Sequence, residues 1–231
     1  MQATQLGTLF IDPAINSDRD TLVVYNKRDY FRSDKETFFC GVGGENRKIT
    51  DGDFSEAIPQ PPVRPNRLRT YRLAMGVTWG YVVFHFNRGA TAASAIATTI
   101  NRNNVIYERD LAIRLLISAV VIPASAATDP YVKSDGTPMT GNEAYAANQG
   151  IIDGRVGSGN YDIGHVMGTN GGGGLGSLAG VCNSGNIFVP GRKALGMTFN
   201  SSPVGDPFDV DYVSHEIGHQ FGGDHTFNAI G

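Results

Sequence analysis

Three histidines and a glutamate near the C-terminal end form the clearest chemical pattern in the chain, His215-Glu216-Ile217-Gly218-His219-Gln220-Phe221-Gly222-Gly223-Asp224-His225. His215 and His219 are four residues apart, so on a helix they share one face and both imidazoles can reach one ion. The glycines after Phe221 predict the end of that helix and a sharp reversal, which lets His225 return to the same ion. We therefore predict one catalytic Zn²⁺ held by His215, His219 and His225, with the fourth position open to water.

Glu216 follows the first of these histidines directly. Its carboxylate is predicted to lie beside the ion, where it can act as general base toward the bound water and then carry the proton to a leaving amine. A short HExxH pattern alone occurs by chance in many chains, but the five fixed positions here would match about once in 10⁵ chains of this size. A zinc peptidase with a distant glutamate ligand is disfavoured because His225 already supplies a third ligand.

The helix that presents this pattern is expected to start at Asp206-Pro207 or at Asp209. Its apolar positions are Phe208, Val210, Val213, Ile217 and Phe221.

Upstream, alternating and helical patterns indicate a sheet with helices against it. A strand over Tyr71–Val77 is predicted to continue through a turn or bulge at Gly80 to Phe86, and Thr91 is predicted to cap a helix whose apolar face runs from Ala92 to Ile100. The apolar run from Leu111 to Ile122 reads as a strand buried on both faces, so the order strand, helix, strand predicts a helix that crosses the sheet. Further predicted elements are a helix at 142–153, strands at 161–167, 176–182 and 194–198, and a loop at Gly171–Gly174.

The first part of the chain has a different character. Short strands are predicted at Thr8–Ile11, Thr21–Tyr25 and Thr37–Cys40, followed by a stretch rich in glycine and proline that cannot continue a helix or a central strand. We predict a β-rich, propeptide-like segment over 1–45, a linker over 46–68 and a catalytic domain over 69–231.

Composition limits the partners. The net charge of −3 and the pI near 5.9 provide no basic face, so no nucleic-acid partner is expected. The longest apolar stretch, Leu115 to Ile122, is too short to cross a bilayer, and the N-terminal residues show no secretion signal. Composition names no partner; the pattern at 215–225 is the reason that we expect protein or peptide substrates, and we expect a monomer.

The pattern at 215–225 resembles that of the metzincins, and within them the reprolysin-like zinc peptidases of the secreted bacterial type. A looser likeness extends over Val105–Asp110, Tyr161–His165 and Gly180–Cys182. The resemblance implies an α+β domain, a mixed and mostly parallel five-stranded sheet with backing helices, an extracellular location, and substrate bound along an edge strand that we place at about 175–181. It also implies a methionine turn after the third histidine. Because the methionines all precede His215, the domain is expected to be incomplete at its C-terminal end.

Cys40 has two readings. The Phe39-Cys40-Gly41-Val42 segment resembles the cysteine switch of such precursors, in which a thiolate fills the open position on zinc. Alternatively, Cys40 is an ordinary buried residue or pairs with Cys182, whereas the resemblance implies that Cys182 pairs beyond residue 231.

Two alternatives stay open on the sequence. A non-catalytic or inactive zinc-binding module derived from the peptidase fold would keep the metal without hydrolysing peptides, although the presence of Glu216 favours the peptidase.

His85 and His165 lie in apolar contexts, and we predict that both are core histidines outside the site.

Overall fold

The computed structural model describes residues 9–15, 18–26, 40–42, 67–186 and 188–225. Strands β1 (Leu9–Ile15) and β2 (Asp18–Asn26) pair antiparallel, which confirms the first two predicted strands. Of the third predicted strand, only Cys40 falls within the described residues, and most of the predicted linker at 46–68 lies outside them. The proposed domain boundaries therefore stay a prediction.

The other five strands of the described chain form one sheet. Its strands are β3 (Arg69–Val77), β4 (Ile113–Val121), β5 (Ile163–Gly168), β6 (Gly173–Gly176) and β7 (Gly196–Phe199). Their order is β4-β3-β5-β7-β6, and every neighbouring pair is parallel except β6 with β7. The fold is thus α+β with a mixed, mostly parallel sheet, as predicted.

Helices cover both faces of this sheet. They are α1 (Trp79–Phe86), α2 (Ala92–Leu111), α3 (Gly141–Val156), α4 (Gly205–Phe208) and α5 (His215–Gln220), with a π-helical turn at Asp209–Ser214 between the last two. Short 3₁₀ turns lie at Ala126–Thr128 and Ser158–Asn160. Helix α2 joins the parallel strands β3 and β4, which confirms the predicted crossover. Within the described residues, no helix is both long and apolar enough to span a bilayer.

The core divides by strand face because successive side chains of a strand point to opposite sides. On one face, Leu73 and Met75 of β3 pack with Ile96 of α2 and Ile217 of α5 in one large apolar cluster. On the other face, smaller clusters form against α3, one of them containing Ala74 of β3. The helix with the histidine pattern therefore lies on the same face of the sheet as α2.

The segment Trp79–Phe86 corrects a prediction, because it is a helix and not a strand. Its valines and aromatic residues favour a strand locally, but Thr78 caps the segment by accepting a hydrogen bond from the Tyr81 amide. Tyr81 and His85 are four residues apart and both buried, so burial against the core selects the helical spacing.

Other boundaries also differ from the predictions. The edge strand β6 spans Gly173–Gly176 rather than 175–181, so two glycines of the predicted loop belong to the strand and the residues after it form turns. Strand β4 is not buried on both faces; Leu116 and Val120 are exposed because β4 lies at the other edge of the sheet. Helix α2 continues well past Ile100 to Leu111.

Candidate metal centre

The segment leading into the histidine helix is held by α2. The turn at Asp209–Ser214 is π-helical, and such turns occur often at functional sites. The Tyr107 hydroxyl donates to the Ser214 carbonyl oxygen at 2.5 Å, and the Ser214 hydroxyl bonds to the Asn103 side chain. These bonds fix the backbone immediately before His215.

The three predicted histidine ligands converge at the end of this helix. The Nε2 atom of His215 lies 3.0 Å from that of His219 and 3.2 Å from that of His225. Nitrogen ligands at about 2.0 to 2.1 Å from one tetrahedral zinc ion are about 3.3 Å apart, so the observed spacing fits such an ion. The chain return that brings in His225 follows Gly222, whose φ of +99° lies in the left-handed region.

The histidines are in the chemical form that binds a metal. Burial lowers the pKa of His215 to about 4 and also lowers the pKa values of His219 and His225. Neutral imidazoles keep a lone pair for a cation. The Nδ1 atom of His219 lies 2.6 Å from the Gly223 carbonyl oxygen, an arrangement that leaves Nε2 as the ligand atom and orients the ring.

A fourth ligand atom in this cluster comes from Cys40. Its Sγ atom is 3.3 Å from the Nε2 atom of His219, and the four ligand atoms lie within 4.8 Å of one another. Cys40 also forms a parallel bridge to Gly174 of β6, and the Gly41 amide donates to the Gly174 carbonyl oxygen at 2.9 Å. Both cysteines are free thiols and Cys182 is exposed, so the structure does not contain the Cys40–Cys182 bridge considered above.

Glu216 is completely buried beside the cluster. The Cys40 thiol interacts with the Glu216 carboxylate, and otherwise neither carboxylate oxygen has a hydrogen-bond partner in the part of the chain that the structure describes. Burial raises the pKa of Glu216 to about 8, against the lowering effect of the Cys40 thiol, and burial together with the nearby Glu216 charge raises the pKa of the Cys40 thiol. A buried carboxylate needs hydrogen-bond partners, so a water or a substrate group can take the place beside Glu216 that the Cys40 thiol does not fill.

The two remaining histidines lie outside the cluster, in agreement with the prediction for them. His165 is fully buried under α5, with Nδ1 2.9 Å from the Gln220 side-chain oxygen and Nε2 2.9 Å from the Thr198 hydroxyl. His85 is buried on α1, with its ring against Tyr81. Of these two histidines, His165 is linked to the helix that carries the ligands, through its hydrogen bond with Gln220, the residue that follows His219.

Sequence reasoning did not identify every residue that contributes to this centre. It raised Cys40 only as one of several readings, and it assigned no role to Tyr107 or Gly174. The neighbours of Cys40 were the available signal, while the contacts of Tyr107 and Gly174 join residues distant in sequence.

Comparison with known proteins agrees with this arrangement. The family model described as metallo-peptidase family M12B, reprolysin-like, matches residues 93–226, and the chain belongs to that family. No curated protein matches the chain. Among the solved structures that match, one described as the structure of a chaperone-substrate complex is 14% identical, covers 68% of this chain and 24% of that chain, and has a TM-score of 0.46. The chain thus spans about a quarter of that protein's length.

Proposed function

We propose that the protein is a zinc-dependent endopeptidase in which His215, His219 and His225 hold the ion and Glu216 is the general base. The observation that carries the proposal is the convergence of three histidine ligand atoms next to the fully buried carboxylate of Glu216. Membership of a metallopeptidase family supports peptide hydrolysis as the reaction and proteins as the substrates. We further propose an extracellular location.

When bound, zinc lowers the pKa of a coordinated water to about 7 and polarises the carbonyl to be cleaved. The protein's own contribution is positional. In its ionised form, which a neighbouring cation favours over the neutral form, Glu216 accepts a proton from the attacking water as the water oxygen bonds to the carbonyl carbon. It passes the proton to the amine nitrogen as the carbon–nitrogen bond breaks. The full burial of Glu216 restricts the positions that its carboxylate can take.

The second part of the proposal is that residues 40–42 keep the unprocessed chain latent. The Cys40 thiol lies where a fourth ligand would lie, and the backbone of Cys40 and Gly41 pairs with Gly174 at the sheet edge. An extended substrate that adds to this edge would need the same position. A thiolate bound to zinc and a bound water cannot occupy one coordination position together, so release of the segment is required for hydrolysis.

The test compares the full-length protein with three matched pairs of variants. The metal test is zinc content, expected at about one ion per chain and lost in His219→Ala but not in His85→Ala. The base test is hydrolysis of a peptide library by the Cys40→Ser chain, expected to be lost when Glu216→Gln is added, with zinc retained, and kept when Glu108→Gln is added. The latency test is the activity of unprocessed chain, expected to rise in Cys40→Ser and not in Cys182→Ser.

Each part of the proposal has an outcome that overturns it. Activity that survives Glu216→Gln removes Glu216 as the base. Zinc binding without hydrolysis in the Cys40→Ser chain supports a non-catalytic zinc module instead. Equal activity of the wild-type and Cys40→Ser chains refutes latency.

A further inference from the structure

Strand β6 lies directly against the histidine helix, and its glycines make that approach possible. The two positions that face the helix are Gly174 and Gly176, while Leu175 between them packs with the core on the α3 side. This alternation is that of a regular strand. Neither glycine has a positive φ, so the backbone itself accepts an alanine at both positions.

The two glycines face different parts of the helix. At Gly174, an alanine Cβ would lie well inside 3.0 Å of Cγ, Cδ and Oε1 of Glu216. At Gly176, it would overlap the Glu216 backbone carbonyl oxygen and crowd the Cβ of His219. A methyl group at 174 would therefore displace the carboxylate, whereas a methyl group at 176 would displace the helix backbone.

We propose that Gly174 is a positioning residue for the hydrolysis: its missing side chain is the space that the Glu216 carboxylate occupies, and the strand backbone sets where the base lies relative to the metal. The inference rests on the proposed function for its catalytic meaning, but the packing relation can be tested without any activity. It also gives β6 two roles, since the Gly174 carbonyl oxygen is the acceptor for the Gly41 amide on the outer edge of the strand.

The activity consequence is specific. A displacement of a reacting group by about 1 Å can cost about 10²-fold in rate. Gly174→Ala, placed in the Cys40→Ser background so that the site is open, is expected to lower kcat by about 10²-fold with KM and zinc content unchanged. Gly176→Ala is expected to lower zinc content and thermal stability together, because it moves the helix that carries the ligands.

A double-mutant cycle in the full chain isolates the contact. Gly174→Ala is expected to lower Tm in the chain with Glu216 and to leave Tm unchanged in a Glu216→Ala background, where the carboxylate is no longer there to be displaced. Gly150→Ala is the control, because an alanine Cβ at that position of α3 meets nothing within 4 Å. An equal Tm change in both Glu216 backgrounds, including no change in either, overturns the inference, as does unchanged kcat in Gly174→Ala.

The cycle also separates this inference from the proposed function. If Glu216→Ala keeps its activity, the proposed base is wrong, yet a Tm cost confined to the Glu216 background still shows that Gly174 makes room for the carboxylate. If the base assignment stands and the Tm costs are equal, the positioning role alone is wrong.

Discussion

His165 makes the stability of the structure sensitive to acid. It is fully buried, and this burial lowers its pKa from 6.5 to about 4, against an opposing effect of the Gln220 hydrogen bond. The Gln220 side-chain NH₂ donates to the Gly164 carbonyl at 2.8 Å, so its oxygen faces Nδ1 as an acceptor. Nδ1 therefore carries the proton of the neutral ring, and Nε2 accepts from Thr198.

The magnitude follows from these pKa values. The folded-state pKa lies below the unfolded value, so the contribution of His165 is fully present above pH 6.5 and is lost as the pH falls toward 4. Linkage predicts a loss of about 2 kcal/mol by pH 5 and about 3 kcal/mol by pH 4.

The assay is denaturant unfolding of the zinc-free chain at pH 7.5 and pH 5, which removes metal release from the comparison. His165→Asn keeps a donor near Gln220 and removes the titrating ring, so its stability deficit relative to wild type is expected to shrink by about 2 kcal/mol between the two pH values. Thr198→Val is the matched control, because it perturbs the same site and keeps the ring; its deficit is expected to change much less. A His165→Asn chain with the wild-type dependence on pH refutes the reasoning.

Two further predictions concern the support from α2. Tyr107→Phe removes the donor to the Ser214 carbonyl. We expect this substitution to lower the free energy of unfolding by about 1 to 3 kcal/mol and to weaken zinc binding. Unchanged zinc affinity would contradict a role of Tyr107 in fixing the helix start. The pH dependence of stability that Asp209 causes is expected to be opposite in sign to that of His165. Burial raises the pKa of Asp209 from 3.8 to about 7, against the lowering effect of hydrogen bonds from Thr99 and Arg102. The contribution of Asp209 to stability is present below pH 3.8 and is lost as the pH rises through 7. The Asp209→Asn chain is therefore expected to gain stability relative to wild type between about pH 4 and pH 8. Parallel profiles of stability against pH for the two chains would refute this.

The features that could be predicted from the sequence depend mostly on the spacing of residues within one segment. Histidines four residues apart and a glycine reversal before His225 are properties of a single segment. Helix geometry brings His215 and His219 together, and the reversal at Gly222 brings in His225. The crossover from β3 through α2 to β4 could also be predicted, because the spacing of apolar residues changes along this part of the sequence from that of a strand to that of a helix.

The remaining features depend on contacts between distant parts of the chain. Cys40 and His219 are 179 positions apart, and nothing in the spacing of either residue fixes that they meet. The apolar run of β4 resembles a central strand, but its place at the sheet edge depends on the order of the other strands. The glycines at 173 and 174 resemble a loop, and the helix packed against β6 shows why the strand needs a glycine at 174.

One hydrogen-bond acceptor links the latency and the positioning proposals. The Gly174 carbonyl oxygen receives the Gly41 amide, and the open side of the same residue receives the Glu216 carboxylate. A peptide substrate that adds to β6 would thus replace Gly41 at a strand whose other contact sets the position of the base. Binding of the main chain and alignment of the base therefore act through the same four-residue strand. A side chain at 174 would act on the base from the inner side, whereas Gly41 and an incoming peptide compete for the outer edge, so the two effects can be separated by substitution.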